Sequence, residues 1–100
     1  MRAEQRSFEE IIEKDSKRYL FVAHFGNGDE EDQNVILDYS QKFGKISKLT
    51  VFPGTSYGHM EFESVESAQS LMNDMDGENI KVLKFYGKDR YVCFFFTSVD

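Results

Sequence analysis

The spacing of hydrophobic and polar residues changes several times along the chain, and each change predicts a new element. Near the start, Phe8, Ile11 and Ile12 fall on one stripe of a helix, and charged residues fill the opposite side. This pattern predicts an amphipathic helix over residues 3–17. Because it has so few apolar anchors, we expect it to pack on the domain that follows or on a partner.

Short runs of β-branched and aromatic residues predict four strands. The first strand is expected over residues 19–25, the second over 46–52, the third over 57–62 and the last over 91–96. The short connection over residues 53–56 contains the only proline, which predicts a hairpin between the second and third strands.

Two helices are expected between these strands. The first follows Asp29, a plausible N-cap, and continues to Gly44, and the second starts at Ser64 and stops near Gly77. Residues 78–89 are mixed and partly basic, and they predict no regular element.

The acidic run at residues 29–32 has two interpretations. It can be an interaction tail, or it can be the first turn of a helix, where the helix dipole favours negative charge. We favour the helix start because it explains the run without a partner.

The predicted order of elements is αβαββαβ, or βαββαβ without the first helix. Two right-handed β-α-β units of this kind give an α+β, ferredoxin-like fold. Its four-stranded antiparallel sheet has the order 4-1-3-2 and carries both helices on one face. We therefore expect an N-terminal helix at residues 1–17 and a single domain at residues 18–100.

The sheet face without helices should be polar, yet the strands carry aromatic residues at both phases. If Leu20 and Val22 point inward, Phe21 points to the open face, and the other strands alternate in the same way. The expected open-face residues are Phe21, Ala23, Lys48, Thr50, Phe52, Tyr57, His59, Glu61, Tyr91, Cys93 and Phe95, with Lys48, Lys88 and Arg90 at the rim. An exposed aromatic patch of this size indicates a binding partner or a cover.

Composition narrows the possible partners. One hundred residues, 40% of them apolar, give one compact domain, and the net charge of −6 argues against sequence-blind binding to polyanions. We therefore expect no DNA partner, no membrane partner and a monomer. The single Cys93 and the absence of an apolar leader favour the cytoplasm or the nucleus.

Four segments in the correct order resemble the RNA recognition motif (RRM) family over about residues 18–97. Residues 20–25 (LFVAHF) resemble its RNP2 hexamer, and residues 55–62 (TSYGHMEF) resemble its RNP1 octamer. Residues 43–46 and 68–77 resemble its Phe-Gly-x-Ile and Ala-to-Asn-Gly segments.

The resemblance implies an RNA-binding sheet. In that family, the positions of Phe21 and Tyr57 stack on bases, and His59 stands at the third aromatic position. Thr55 replaces a basic residue and His24 replaces an asparagine, so the resemblance implies weak binding with little selectivity. The implied RNA-binding residues are Phe21, Tyr57, His59, Lys48, Lys88, Arg90, Tyr91 and Phe95.

A narrower resemblance is to the RRM of AlkB-homologue enzymes that hydroxylate and methylate wobble uridine in tRNA. It depends on residues 22–23, on the turn at residues 26–28 and on the proline-containing hairpin before Tyr57. It implies tRNA as the partner, and iron/2-oxoglutarate dioxygenase and methyltransferase domains C-terminal to this region in a longer parent. This chain has no His-x-Asp signature and no glycine-rich methyl-donor loop, so we expect no catalytic site, no metal site and no cofactor in it.

Other functions have less support in the sequence. A protein-binding RRM variant would grip a peptide with its acidic first helix and with residues 84–86 (KFY), although the family's Arg-x-Phe signature is absent there. An acyl-phosphate hydrolase would need an arginine in the loop after the first strand, and residues 26–29 offer none. His24 with His59 as a metal pair, and Cys93 as a nucleophile, lack supporting neighbours in the sequence.

Overall fold

The computed structural model describes residues 18–52 and 54–97. The predicted helix over residues 3–17, and with it the proposed N-terminal segment, lies outside these residues. The elements, in chain order, are β1 (Tyr19–Ala23), α1 (Glu30–Ser40), a 3-10 turn (Gln41–Phe43), β2 (Ile46–Val51), β3 (Tyr57–Phe62), α2 (Val65–Asn73), β4 (Ile80–Phe85) and β5 (Lys88–Phe96).

The strands form one antiparallel sheet in the order β2-β3-β1-β5-β4. The predicted arrangement of the first, second, third and last strands is confirmed. The predicted number of four strands was wrong, because β4 adds a fifth strand at the edge beside β5. The α+β, ferredoxin-like class is confirmed in this extended form.

The strand β4 lies within the stretch for which the sequence predicted no element. It pairs with β5 along its whole length, from Ile80 opposite Cys93 to Phe85 opposite Lys88. The connecting residues Tyr86 and Gly87 have φ angles of 54° and 78°. Two successive positive φ angles form a type I′ turn, whose twist suits a two-residue hairpin.

The core lies between the sheet and the two helices. It is built from the inward residues of the strands and from the apolar side of each helix. The fully buried members of this core include Leu20, Val22, Phe25, Ile36, Met60, Phe62, Ala68, Leu71, Phe85, Val92 and Phe94. The predicted inward phase is therefore confirmed for β1, β3 and β5.

Capping explains where the helices begin. The Asp29 carboxylate accepts a hydrogen bond from the Asp32 backbone N–H at 2.9 Å, and the Ser64 hydroxyl does the same for Ser67 at 3.2 Å. Both predicted N-caps are confirmed. The acidic run at residues 29–32 is thus a helix start.

Three of the elements end earlier than the sequence predicted. β1 stops at Ala23 because His24 has a φ of 65°, which takes the chain out of the extended conformation. α1 stops at Ser40 and tightens into the 3-10 turn before Gly44. α2 stops at Asn73, ahead of the predicted stop at residues 76–77, and Asp74 is its C-cap.

No helix among residues 18–52 and 54–97 has the length and apolar character needed to cross a membrane.

Candidate nucleic-acid interface

Cross-strand pairing gathers aromatic side chains on the sheet face that does not carry the helices. Phe21 in β1 lies opposite His59 of β3 on one side and opposite Phe95 of β5 on the other. Paired residues of an antiparallel sheet point to the same face, so these three side chains share a row. We use the term aromatic face for Phe21, Phe52, Tyr57, His59 and Phe95.

Four rings of the aromatic face contact each other, those of Phe21, Phe52, Tyr57 and His59. Phe21 and Tyr57 are stacked, with ring centroids 5.9 Å apart and planes inclined by 21°. His59 meets Phe21 edge-on at 5.7 Å and meets Phe52 edge-on at 5.5 Å. The four rings therefore form a continuous strip from β1 across β3 to the end of β2.

Much of the aromatic face is accessible to solvent. Tyr57 is 44% exposed, and Phe52 and Phe95 are each 42% exposed, whereas Phe21 is half-buried between its neighbours. Exposed ring faces at neighbouring positions offer stacking surfaces for flat, π-rich ligands such as unpaired bases.

The hairpin between β2 and β3 fixes the start of the strip. The Thr55 hydroxyl donates a hydrogen bond to the Phe52 carbonyl at 2.6 Å, and the Phe52 N–H donates to the Tyr57 carbonyl at 3.1 Å. Thr55 stands where the RRM resemblance places a basic residue. Here its side chain stabilises the turn that presents Phe52 and Tyr57 together.

Gly58 allows β3 to lie close to its neighbours. A Cβ at this position would lie 2.7 Å from the Thr50 carbonyl oxygen and 3.5 Å from the buried ring of Phe25. No side chain larger than hydrogen fits there without displacing backbone. Gly58 therefore allows the close approach of β3 to β2 and to Phe25 at the point where Tyr57 and His59 flank it.

A shallow groove of about 240 Å³ lies beside the strip. It is lined by Tyr19, Lys48, Thr50, His59 and Glu61, together with Met60. Glu61 is the cross-strand partner of both Tyr19 and Lys48, and His59 is the partner of Thr50. The groove therefore brings a carboxylate, an ammonium group and a hydroxyl next to the aromatic rings.

The rim of basic residues predicted from the sequence is only partly present. Lys48 is exposed and lines the groove. The prediction that Lys88 and Arg90 border the aromatic face was wrong. Both lie on the same face of β5 as the buried Val92, which is the face covered by the helices. The register confirms this: Lys88 lies opposite the buried Phe85, and Arg90 lies opposite Leu83.

Arg90 instead supports the loop before α1. Its guanidinium carbon lies 5.1 Å from the centroid of the Phe85 ring, and its Nη1 lies 4.0 Å from the Asp32 carboxylate. The Asp32 carboxylate is buried and accepts hydrogen bonds from the N–H groups of Asn27 and Gly28 at 2.9 and 3.2 Å. Arg90 thus partly compensates a buried charge.

The tip of the β4–β5 hairpin is tied to the same loop. The Tyr86 hydroxyl donates a hydrogen bond to the Asp29 carboxylate at 2.9 Å. This bond raises the pKa of Tyr86 to about 12. The pKa of Asp29 is lowered, first by the hydrogen bond from the Asp32 backbone and then by the bond from Tyr86.

These contacts bear on the peptide-binding alternative, which used residues 84–86. Phe85 is fully buried, Lys84 pairs with Asp89 at 3.2 Å, and Tyr86 is held by Asp29. Phe85 therefore offers no ring to a peptide in this conformation.

The predicted site residue Tyr91 lies away from the centre of the strip. Tyr91 is 66% exposed and pairs with Val82 of β4, beyond the end of β1. Cys93 is half-buried opposite Ala23. Among the described residues, no three His, Cys, Asp or Glu side chains gather closely enough to hold a metal ion.

Sequence reasoning left Phe52, Thr50 and Glu61 out of the predicted binding site, although it placed all three on the open face. The strip and the groove include them. The signal that identifies them is the same strand alternation, combined with the hairpin register that sets them beside His59.

Comparisons with known proteins support the fold. No protein-family model and no curated protein matches the chain. Among solved structures, the chain is similar to the Nab3 RRM, which is described in work on cis-element recognition of non-polyadenylated RNAs. The TM-score is 0.60 and the sequence identity is 14%, and the alignment covers 84% of this chain and 99% of that chain. The chain is also similar to the C-terminal RRM of the hypothetical RNA-binding protein RBM19, with a TM-score of 0.58, 12% identity, and coverage of 84% of this chain and 78% of that chain. The chain therefore has the fold of RNA recognition motifs.

Proposed function

We propose that this domain binds single-stranded RNA on the aromatic face, with one base stacked on Phe21 and the next on Tyr57. The observation that carries this proposal is the accessible pair of stacked rings on adjacent central strands. Stacking of a base on an aromatic side chain contributes about 1–3 kcal/mol and tolerates any base. The RRM fold of the chain supports the same face as the binding surface.

The charge distribution supports modest affinity. The net charge is −6, and the basic side chains Lys81, Lys84 and Arg90 each lie within 4.0 Å of a carboxylate. The negative net charge opposes contact with phosphates, so the salt dependence of binding should be shallow. Stacking, rather than phosphate contact, supplies most of the binding free energy in this proposal.

A titration followed by NMR tests the proposal. A single-stranded heptanucleotide should shift the resonances of Phe21, Tyr57 and His59, and Phe21→Ala or Tyr57→Ala should weaken binding by about 5- to 150-fold. The matched control is Tyr86→Ala, which removes a 60% exposed ring from the hairpin tip, outside the aromatic face. Unshifted face resonances, or equal losses in all three variants, would contradict the proposal.

We further propose that the RNA is a tRNA anticodon loop and that the domain precedes AlkB-type dioxygenase and methyltransferase domains in a longer parent. This part depends on the sequence resemblance at residues 22–28 and at the hairpin before Tyr57. An anticodon stem-loop should then bind more tightly than an unstructured strand of the same loop sequence. Equal affinity for the two RNAs would contradict the tRNA assignment and would be consistent with general binding of single-stranded RNA.

A further inference from the structure

The groove beside the aromatic strip continues the row of side chains that contact Phe21. One row across the sheet is Phe21, His59 and Thr50, and the neighbouring row is Tyr19, Glu61 and Lys48. The groove of about 240 Å³ touches both rows. Glu61 and Lys48 therefore lie in the row next to Phe21, within the groove.

We propose that this groove reads guanine, with the Glu61 carboxylate accepting hydrogen bonds from the N1–H and N2–H₂ groups and Lys48 donating to O6. This inference depends on the proposed RNA-binding function and adds a base preference to it. Sequence-specific reading of single-stranded RNA uses hydrogen bonds to the Watson–Crick edge of a base beside a stacking platform.

Glu61 and Lys48 have unused hydrogen-bonding capacity. Within residues 18–52 and 54–97, neither side chain takes part in a hydrogen bond or in an ion pair within 4.0 Å. Other surface charges of the sheet behave differently, since Lys45 pairs with Glu63 at 3.7 Å and Lys84 pairs with Asp89 at 3.2 Å. The half-buried Glu61 therefore presents a carboxylate to the groove with its acceptor atoms available.

The chemistry of this pair selects one base. A carboxylate accepts through two oxygens and cannot donate. Guanine alone among the four RNA bases has two adjacent donors on its Watson–Crick edge, with an acceptor, O6, beside them. Uracil offers one donor between two acceptors, and cytosine and adenine offer one amino group beside an acceptor, so each of these sets a lone pair against the carboxylate.

The sign of the charge supports contact with a base rather than with the backbone. A carboxylate beside an RNA phosphate is repelled, whereas a carboxylate that meets the donors of a base forms charge-assisted hydrogen bonds. Lys48, its cross-strand neighbour, offsets the negative charge in the groove.

The test uses four heptauridine-based RNAs that carry G, A, C or U at the central position. We expect the G-containing RNA to bind the wild-type protein about tenfold more tightly than the other three, which corresponds to about 1.4 kcal/mol. Glu61→Gln replaces one acceptor by a donor and should reduce this ratio to about one. The matched control, Glu66→Gln, makes the same charge change on α2 and should keep the preference for G.

Failure of this inference is distinguishable from failure of the proposed function. Equal affinity for the four RNAs, or a preference for G that survives Glu61→Gln, overturns the guanine assignment and leaves RNA binding intact. Absence of binding to all four RNAs overturns both.

Discussion

Phe21 and Tyr57 lie on adjacent strands but are not directly paired in register, because Tyr57 lies opposite Ala23 and Phe21 lies opposite His59. Their rings nevertheless stack across this diagonal, at 5.9 Å and 21°. The small side chain of Ala23 leaves room for the Tyr57 ring to lean toward Phe21. The two rings therefore act as one surface rather than as two separate contacts.

This stacking predicts coupling between the two residues. Each single variant, Phe21→Ala and Tyr57→Ala, removes a stacking ring and also frees its neighbour, so the double variant should lose less RNA affinity than the sum of the single losses. We expect a coupling of about 0.5–1.5 kcal/mol in a double-mutant cycle of dissociation constants. Strict additivity would show that the rings bind RNA independently.

Gly58→Ala should lower the stability of the fold. The added Cβ would lie 2.7 Å from the Thr50 backbone oxygen. Backbone that is paired within a sheet can move only slightly to relieve such a contact. We expect a loss of about 1–3 kcal/mol in the free energy of unfolding, measured by denaturant titration. Gly77→Ala is the matched control, because a Cβ there meets no atom within 4 Å. A loss of the same size in both variants would show that the close contact at Gly58 is not the cause.

Arg90→Gln should affect stability and not RNA contact. The variant removes the cation beside the buried Asp32 carboxylate and the packing over Phe85. Since Arg90 is partly exposed and 4.0 Å from the carboxylate, we expect a loss of about 1–2 kcal/mol in unfolding free energy.

The folded Arg90→Gln protein should bind RNA within about twofold of wild type, because the side chain lies on the helix side of β5. Lys48→Gln provides the comparison, since it changes one exposed charge in the groove. A large affinity loss for Arg90→Gln with unchanged stability would reverse this assignment.

Acid should weaken a side-chain cluster that joins α1 to α2. The Tyr39 hydroxyl donates to Asp74 at 2.9 Å, and Lys81 pairs with Asp74 at 3.0 Å. The bond from Lys81, followed by the bond from Tyr39, holds the pKa of Asp74 below its usual range. A lowered folded-state pKa contributes stability that is present above the unfolded value and is lost as pH falls through the folded value.

The expected result is a decrease in Tm between about pH 5 and pH 2 that is smaller in Asp74→Asn than in wild type. At neutral pH the same variant should be less stable than wild type, because the charged pair with Lys81 is gone. Asp38→Asn is the control, since Asp38 is an exposed carboxylate of α1 without a hydrogen bond or ion pair among the described residues. Parallel Tm curves for wild type and Asp74→Asn would contradict the role of Asp74.

The sequence predicted the aromatic face well because strand alternation is a local property. Once Leu20 is placed inward, the direction of Phe21 follows from geometry alone, and the same holds for Tyr57 beside Met60. The same rule, applied to Val92 and Phe94, would have placed Arg90 inward. The charge of Arg90 and its place near aromatic residues in the sequence instead suggest a rim position.

The strand β4 could not be recognised in the same way. Its helix side carries Lys81, whose ammonium group leaves the apolar layer to pair with Asp74, so the apolar and polar positions do not alternate cleanly. Its turn contains Tyr86 at a φ of 54°, a conformation usually taken by Asn or Gly. The hydrogen bond from Tyr86 to Asp29 spans 57 residues and is a tertiary contact that no local pattern encodes.

The position of β4 also determines which strand forms the border of the sheet. Residues 91–96 (YVCFFF) carry no charge and no proline, which is the composition of segments that assemble into fibrils when their backbone is free. In this fold residues 93–96 pair with β1 and residues 91–93 pair with β4, and the strand at the border beside them contains Lys81 and Lys84. Charged lysines at a sheet border discourage the addition of strands from other molecules. The fifth strand thus covers residues 91–93 of this segment, and it places charged lysines where an apolar strand would otherwise form that part of the border.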